Sequence, residues 1–337
     1  MKILVIGDTH FKDSLSYADY ISDRREGEKK KILDFLIESS KDCDHIVFLG
    51  DLFNSKNNSS EVNRQVVELL ERFGDKDIYI ISGNHEKKGD GKTAIDFLRE
   101  IRKKNWKIFT QMNSIAIGKM KVTFLPYILN SELELTNYED ATKEIIKNIV
   151  GGDILFAHHA ISGTSWNGIS TDLFKEVVLP RAKLEEKYKL VVAGHIHEPQ
   201  QQGNTLITGS LFTSEVGETE KYIFKIDEDL NLEKFKVPTR EIHKVENPTT
   251  KQLSNIPDSA IVKVVIKDKK ISIETLKEQL SRFDAFLIIE NYPNERKKVH
   301  IEEGAFDFNI ESLLKLYSEE KQVDYQKLIS GLKIIND

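Results

Sequence analysis

A chain of 337 residues, 39% of them hydrophobic and with a formal charge of −6, has room for one sizeable α/β domain and a smaller second one. Its single cysteine, Cys43, excludes an internal disulfide framework, and with no secretory leader in view it points to a reducing, cytoplasmic setting. No apolar run reaches the roughly 18–20 residues of a membrane helix, and the negative charge argues against a broad basic face for nucleic acid unless bound cations change the local sign.

Residues 1–10, MKILVIGDTH, form an apolar run with a polar end, the pattern of a buried strand that delivers its carboxyl end to a site. Residues 27–41 follow with Ile32, Leu33, Phe35, Leu36 and Ile37 at roughly helical period, and HIVFLGD at 45–51 reads as a second strand. A helix through Val62, Val66, Val67, Leu70 and Phe73 leads to the strand IYIIS at 78–82, which ends in GNHE. Further strand-like runs lie at 121–127, 153–159, 189–195 and 204–210. Residues 221–237 predict a hairpin around Glu228 and Asp229, and Pro238 with the polar stretch through Thr250 predicts a linker. The boundary falls near residue 240: a catalytic domain over 1–240, a small β-α-β capping domain over 241–300, and a tail over 301–337. The tail pattern at 308–333 gives two short amphipathic helices.

Six of the nine histidines sit at strand ends: His10, His85, His158, His159, His195 and His197. Asp8-x-His10 and His195-x-His197 use the loop just after a strand to aim two side chains into one space, which suits first-row metals. Asp51 and Asn84 extend the set with a carboxylate able to bridge two cations and a neutral amide oxygen. Singly, each motif is weak, because a strand-end histidine is commonly structural and GD and GN are ordinary turn dipeptides. Their conjunction, in this order and with strand-helix spacing between them, is what points to a metal site.

The ordered set resembles the calcineurin-like metallophosphoesterases over residues 1 to about 215. Within that family it is similar to the SbcD-type nuclease subunit of DNA double-strand-break repair, in a short, bacteriophage-like form. Gly50-Asp51-Leu52-Phe53, Leu125-Pro126-Tyr127, the β-α-β region and the short length carry this finer resemblance. It implies an α/β fold with a two-layered β-sandwich flanked by helices, a small C-terminal α/β capping domain and a helical tail. It also implies two divalent metal ions, Mn²⁺ by preference. Asp8, His10 and His197 would hold one ion, Asn84, His158 and His195 the other, with Asp51 between them and His85 as the catalytic residue that meets the phosphate. His158 follows its strand directly and fits better than His159, which stays open as the alternative. Glu86 stands where the family usually has aspartate, and Asn54 where the nuclease branch shows Asp or His, which leaves strand preference open.

The activity so implied is exonuclease action on duplex ends and endonuclease action on single strands, in a homodimer working with an SbcC-type ATPase docked through the C-terminal helices. Two other functions compete with it. One is a two-metal phosphatase or phosphodiesterase acting on a small molecule or phosphoprotein; the other is a scaffold with a vestigial site. Trp166 in the loop 162–170 either stacks on a base or packs, and the runs Lys29–Lys31 and Arg296–Lys298 are solvated faces or weak DNA contacts.

Overall fold

The structure, a computed structural model, describes residues 1–12, 22–88, 91–213, 220–258, 260–267 and 271–289. The expected tail helices, the run Arg296–Lys298 and the boundary at residue 301 lie outside the described residues.

The first half of the chain alternates strand and helix: β1 (Lys2–Ile6), α1 (Ser22–Ser39), β2 (His45–Phe48), α2 (Ser60–Arg72), β3 (Asp77–Ile81), α3 (Phe97–Glu100) and β4 (Trp106–Phe109). The four strands pair in parallel in chain order, as crossover helices require. α2 begins where the Ser59 hydroxyl accepts the main-chain N–H of Val62 at 3.2 Å. Tyr222–Asp227 and Leu232–Lys236, the hairpin expected around Glu228 and Asp229, add antiparallel strands at the β1 edge.

A second six-stranded sheet contains β5 (Asn113–Ile117) and β6 (Met120–Leu125), then, after α4 (Tyr138–Asn148), β7 (Gly152–His158). Tyr188–Gly194 and Thr205–Ile207 continue it in parallel beyond β7, and Gln200–Gln202 closes the edge. Because side chains alternate along a strand, Ile3 and Val5 face one way and Leu4 and Ile6 the other. Ile3, Val5, Val47 and Ile81 meet Val122, Phe124, Phe156 and Val192 between the sheets, where Phe124 stacks on Tyr79 at 5.3 Å and on Phe109 at 4.6 Å. Leu4, Ile6 and Phe48 pack on Ile32, Leu36, Val66 and Leu70 of α1 and α2. Leu155, Ala157 and Val191 pack with Ala141 and Ile145 of α4. The result is a sandwich of two sheets with helices on both outer faces, the fold class expected.

The stretch expected as a linker is ordered differently. Ile242–Glu246 is a strand, parallel to Ile261–Ile266, which in turn pairs in parallel with Asp284–Ile289. Thr249 then caps a short helix, Thr250–Ser254: its hydroxyl accepts the Gln252 N–H at 3.2 Å while the Gln252 side chain accepts the Thr249 N–H at 2.9 Å. The strand forms because Val245 packs on an apolar cluster of Leu253, Val262, Val264, Leu276 and Phe283. Its partner comes later in the chain, so the polar flanks hid it from local pattern.

Candidate metal centre

Parallel strands end together, so a residue placed just after each one reaches a common edge. Asp8 and His10 follow β1, Asp51 follows β2, Asn84 and His85 follow β3, His158 ends β7, and His195 and His197 follow Tyr188–Gly194. Both sheets therefore contribute. The loops after β1 and β2 are laced together: the Asp51 carbonyl accepts the N–H of Thr9 at 3.1 Å and of His10 at 2.8 Å, and the Leu52 carbonyl accepts that of Phe11 at 2.9 Å. Both oxygens of the Asp8 carboxylate accept the His195 N–H, at 3.0 and 3.1 Å, which ties the first sheet's loop to the second's.

Holding the side chains inward costs backbone strain. His10, Asp51 and His195 take positive φ of 45°, 46° and 82°, a region that residues with a Cβ occupy only when their surroundings fix them there. Gly50, at φ 91°, lies so close to His158 that a Cβ would stand 2.3 Å from Nδ1.

Two donor groups result. In the first, the Nε2 atoms of His10 and His197 face each other at 2.9 Å, with Asp8 Oδ2 3.6 Å from the latter and Asp51 Oδ2 3.7 Å from the former. In the second, the His158 ring binds the Leu49 carbonyl through Nδ1 at 2.6 Å, turning Nε2 toward Asp51 Oδ2 at 3.4 Å and Asn84 Oδ1 at 3.0 Å. His195 Nδ1 also faces Asn84 Oδ1 at 3.0 Å. With a cation bound, Nδ1–H of His158 and Nε2–H of His195 would donate outward and leave His158 Nε2 and His195 Nδ1 as inward donor atoms. Imidazole nitrogens with carboxylate and amide oxygens are a donor set for first-row divalent metals, so the residues present fit such ions.

Electrostatics agree. Burial drives the His10 imidazolium pKa down to about 3 and raises that of Asp8 from its ordinary value. Burial also opposes charge on His158 and Asp51, yet each supports the other: Asp51 with Asp8 lifts His158 to about 10, and His158 with His10 and His85 holds Asp51 low. The buried Asp51 carboxylate thus retains its charge beside a protonated His158, and a metal ion would take over that imidazolium's part as the positive neighbour.

The remaining candidates separate by position. His85 is exposed at the groove mouth; its N–H binds Asp51 Oδ1 at 2.9 Å and its Nδ1 donates to the Asn54 carbonyl at 3.0 Å. Of the adjacent histidines, His158 reaches the cluster. His159 turns away, stacks on Tyr127 at 4.8 Å and accepts the Ile128 N–H at 3.2 Å. Glu86 is wholly buried; it accepts the N–H of Phe53 at 2.9 Å and of Gly83 at 2.7 Å, and burial beside Asp51 pushes its pKa up to about 8. It is a brace between two ligand loops.

Sequence reasoning missed Glu176. Both its carboxylate oxygens lie 3.0 Å from His195 Nε2, and the Tyr127 hydroxyl donates to it at 3.3 Å. The carboxylate keeps the proton of His195 on Nε2 and leaves Nδ1 for the site. No local signal marks it, since KEVV at 175–178 ends no apolar strand. The cluster floors a groove of about 870 Å³ lined also by Lys12, Asn54, Trp166 and Lys175.

The sequence profile described as calcineurin-like phosphoesterase matches residues 1–199. Among solved structures, TT1561 of Thermus thermophilus is 14% identical with a TM-score of 0.40, over 70% of this chain and 98% of that one. The protein of unknown function AQ665 from Aquifex aeolicus is 18% identical with a TM-score of 0.28, over 56% of this chain and 93% of that one. No curated protein sequence matches the chain.

Proposed function

The chain belongs to the calcineurin-like phosphoesterase family, and on that premise we propose that it is a manganese-dependent DNA nuclease that hydrolyses phosphodiester bonds at duplex ends and within single strands. One observation carries the reading: seven donor side chains from five strand ends, Asp8, His10, Asp51, Asn84, His158, His195 and His197, converge in an open groove. Metal-dependent phosphoester hydrolysis follows from family and donor set. DNA as the substrate is supported by the SbcD-like motifs Gly50-Asp51-Leu52-Phe53 and Leu125-Pro126-Tyr127 and by the lysines Lys12 and Lys175 along the groove.

In this reading Asp8, His10 and His197 hold one ion and Asn84, His158 and His195 the other, with Asp51 Oδ2 facing both groups. Two divalent ions supply Lewis acidity and a nucleophile drawn from water at neutral pH. The chain's own groups orient and transfer protons. Glu176 fixes the tautomer of His195. His85, anchored through its N–H and Nδ1, keeps Nε2 for the phosphate and gives its proton to the leaving oxygen, a role worth typically ~10²–10⁴ in rate.

The same reading makes the chain a cytoplasmic, homodimeric nuclease subunit of a complex with an SbcC-type ATPase, docked through residues 301–337. Sedimentation with the ATPase that is unchanged when those residues are deleted overturns the docking. The charge of −6 favours one alternative, a phosphatase or phosphodiesterase for small molecules or phosphoproteins. The deciding experiment offers end-labelled duplex, single-stranded circles and an aryl phosphodiester to the purified chain, in Mn²⁺ and in chelator, beside Asp51→Asn. DNA hydrolysis that needs both Mn²⁺ and Asp51 supports the nuclease; turnover of the ester alone, with and without the ATPase, gives the alternative.

A further inference from the structure

Among the described residues four large hydrophobic side chains are exposed, and two of them, Ile169 at 54% and Leu173 at 75%, line the metal groove. Single apolar residues in water need no explanation, but two on the rim of one polar groove form a patch that a ligand would cover. Trp166 and Phe174 line the same groove beside them, their rings 6.3 Å apart, and the Trp166 ring lies 5.9 Å from that of His197. The apolar wall therefore begins one ring away from the donor cluster.

The wall is built to hold its shape. Trp166 pairs with Ile169 across a two-residue turn, Asn167-Gly168, whose φ angles of 51° and 79° match the twist of a tight hairpin. The Gln200 side chain accepts the Ser165 N–H at 3.0 Å and donates to the Ser165 carbonyl at 2.7 Å. At the far end the Thr171 hydroxyl donates to the Ile161 carbonyl at 2.7 Å. An apolar surface on a braced hairpin and the helical turn after it, with Lys12 and Lys175 in the same groove, combines cations for a phosphate backbone with an apolar face for what hangs from it.

We propose that Trp166, Ile169, Leu173 and Phe174 form a base-binding subsite that takes the unpaired nucleobase next to the scissile phosphate; this rests on the nuclease reading above. The occupant is a base because it must be apolar and planar and also be joined to a phosphate seated at the donor cluster. Inside a duplex both faces of a base are covered by stacking, so the wall favours single strands and frayed ends, where no unstacking is required.

The test uses a single-stranded oligothymidylate with one scissile position, intact or with an abasic residue beside it, cleaved in Mn²⁺ by the wild-type chain and by the double variant Ile169→Ser, Leu173→Ser. Both side chains are exposed, so the variant tests recognition rather than folding. Removing the base is expected to cost the wild type roughly tenfold in kcat/KM and the variant less than about twofold. Equal cleavage of both strands by the wild type, or the same penalty in both proteins, overturns the subsite. Hydrolysis of an aryl phosphodiester with neither strand cleaved overturns the nuclease reading itself. A second readout needs no turnover: with Trp106→Phe, Trp166 is the one tryptophan left of two. Its emission should be quenched by metal-free binding of oligothymidylate and not of a wholly abasic strand; equal response to both overturns the proposal.

Discussion

The floor of the groove consists of buried polar side chains at strand ends, its wall of exposed apolar side chains on a hairpin and the short helical turn after it. At the floor Asp8, Asp51 and His158 are removed from water and held by main-chain hydrogen bonds, those of Asp8 and His158 crossing between the two sheets. At the wall Ile169 stands in water on a short ribbon and Leu173 on the helical turn that follows it, the pair of segments braced by side chains. The difference assigns the work. A donor set must be right to within a fraction of an ångström and belongs on the rigid core, whereas choice among substrates is set by a segment that can vary without disturbing the core.

The largest effect should come from the backbone of the floor. Gly50→Ala drives a Cβ against His158 and forces an alanine to φ 91°, and is expected to remove measurable Mn²⁺ binding in a calorimetric titration. Wild-type affinity in that variant would show that the close approach does not set the floor. Next, His85→Ala should slow DNA hydrolysis by ~10²–10⁴ while Mn²⁺ affinity stays as in the wild type. The loss should shrink with p-nitrophenolate as leaving group, which needs no proton; an equal loss on both substrates argues against proton donation.

Glu176 lies where floor and wall meet. Glu176→Leu should weaken Mn²⁺ binding by about 10–100-fold, and Glu176→Gln, which still accepts the His195 N–H, should recover most of it. If the glutamine variant binds no better than the leucine variant, charge rather than orientation is what His195 receives. The smallest change in metal chemistry belongs to His159→Phe. It keeps a ring against Tyr127 but orphans the Ile128 N–H, so it should lower stability by about 1–3 kcal/mol in chemical denaturation. Mn²⁺ affinity should not move; a large fall would mean that His159 as well as His158 serves the ions.

The floor was legible in the sequence and the wall was not. Asp8, Asp51 and His195 each follow an apolar run directly, and in parallel sheets that position alone sends them to a shared edge. Glu176 reaches His195 only through the path of an irregular segment, which no local pattern encodes. Trp166 drew notice as an aromatic in a loop, but Ile169 and Leu173 gain their meaning from exposure beside the ligands, a property of three dimensions. The strand Ile242–Glu246 escaped for a related reason: its register is set by Ile261–Ile266, later in the chain.

Asp51 is engaged twice, once through its carbonyl, which holds the turn bearing His10, and once through its carboxylate, which faces both donor groups. If each donor group holds a cation, the separation of the two would depend in part on this one residue. A backbone shift at Asp51 would move its carboxylate and the first loop together. A centre tuned for a different metal would then be reached more directly by exchanging donor atoms than by respacing the loops.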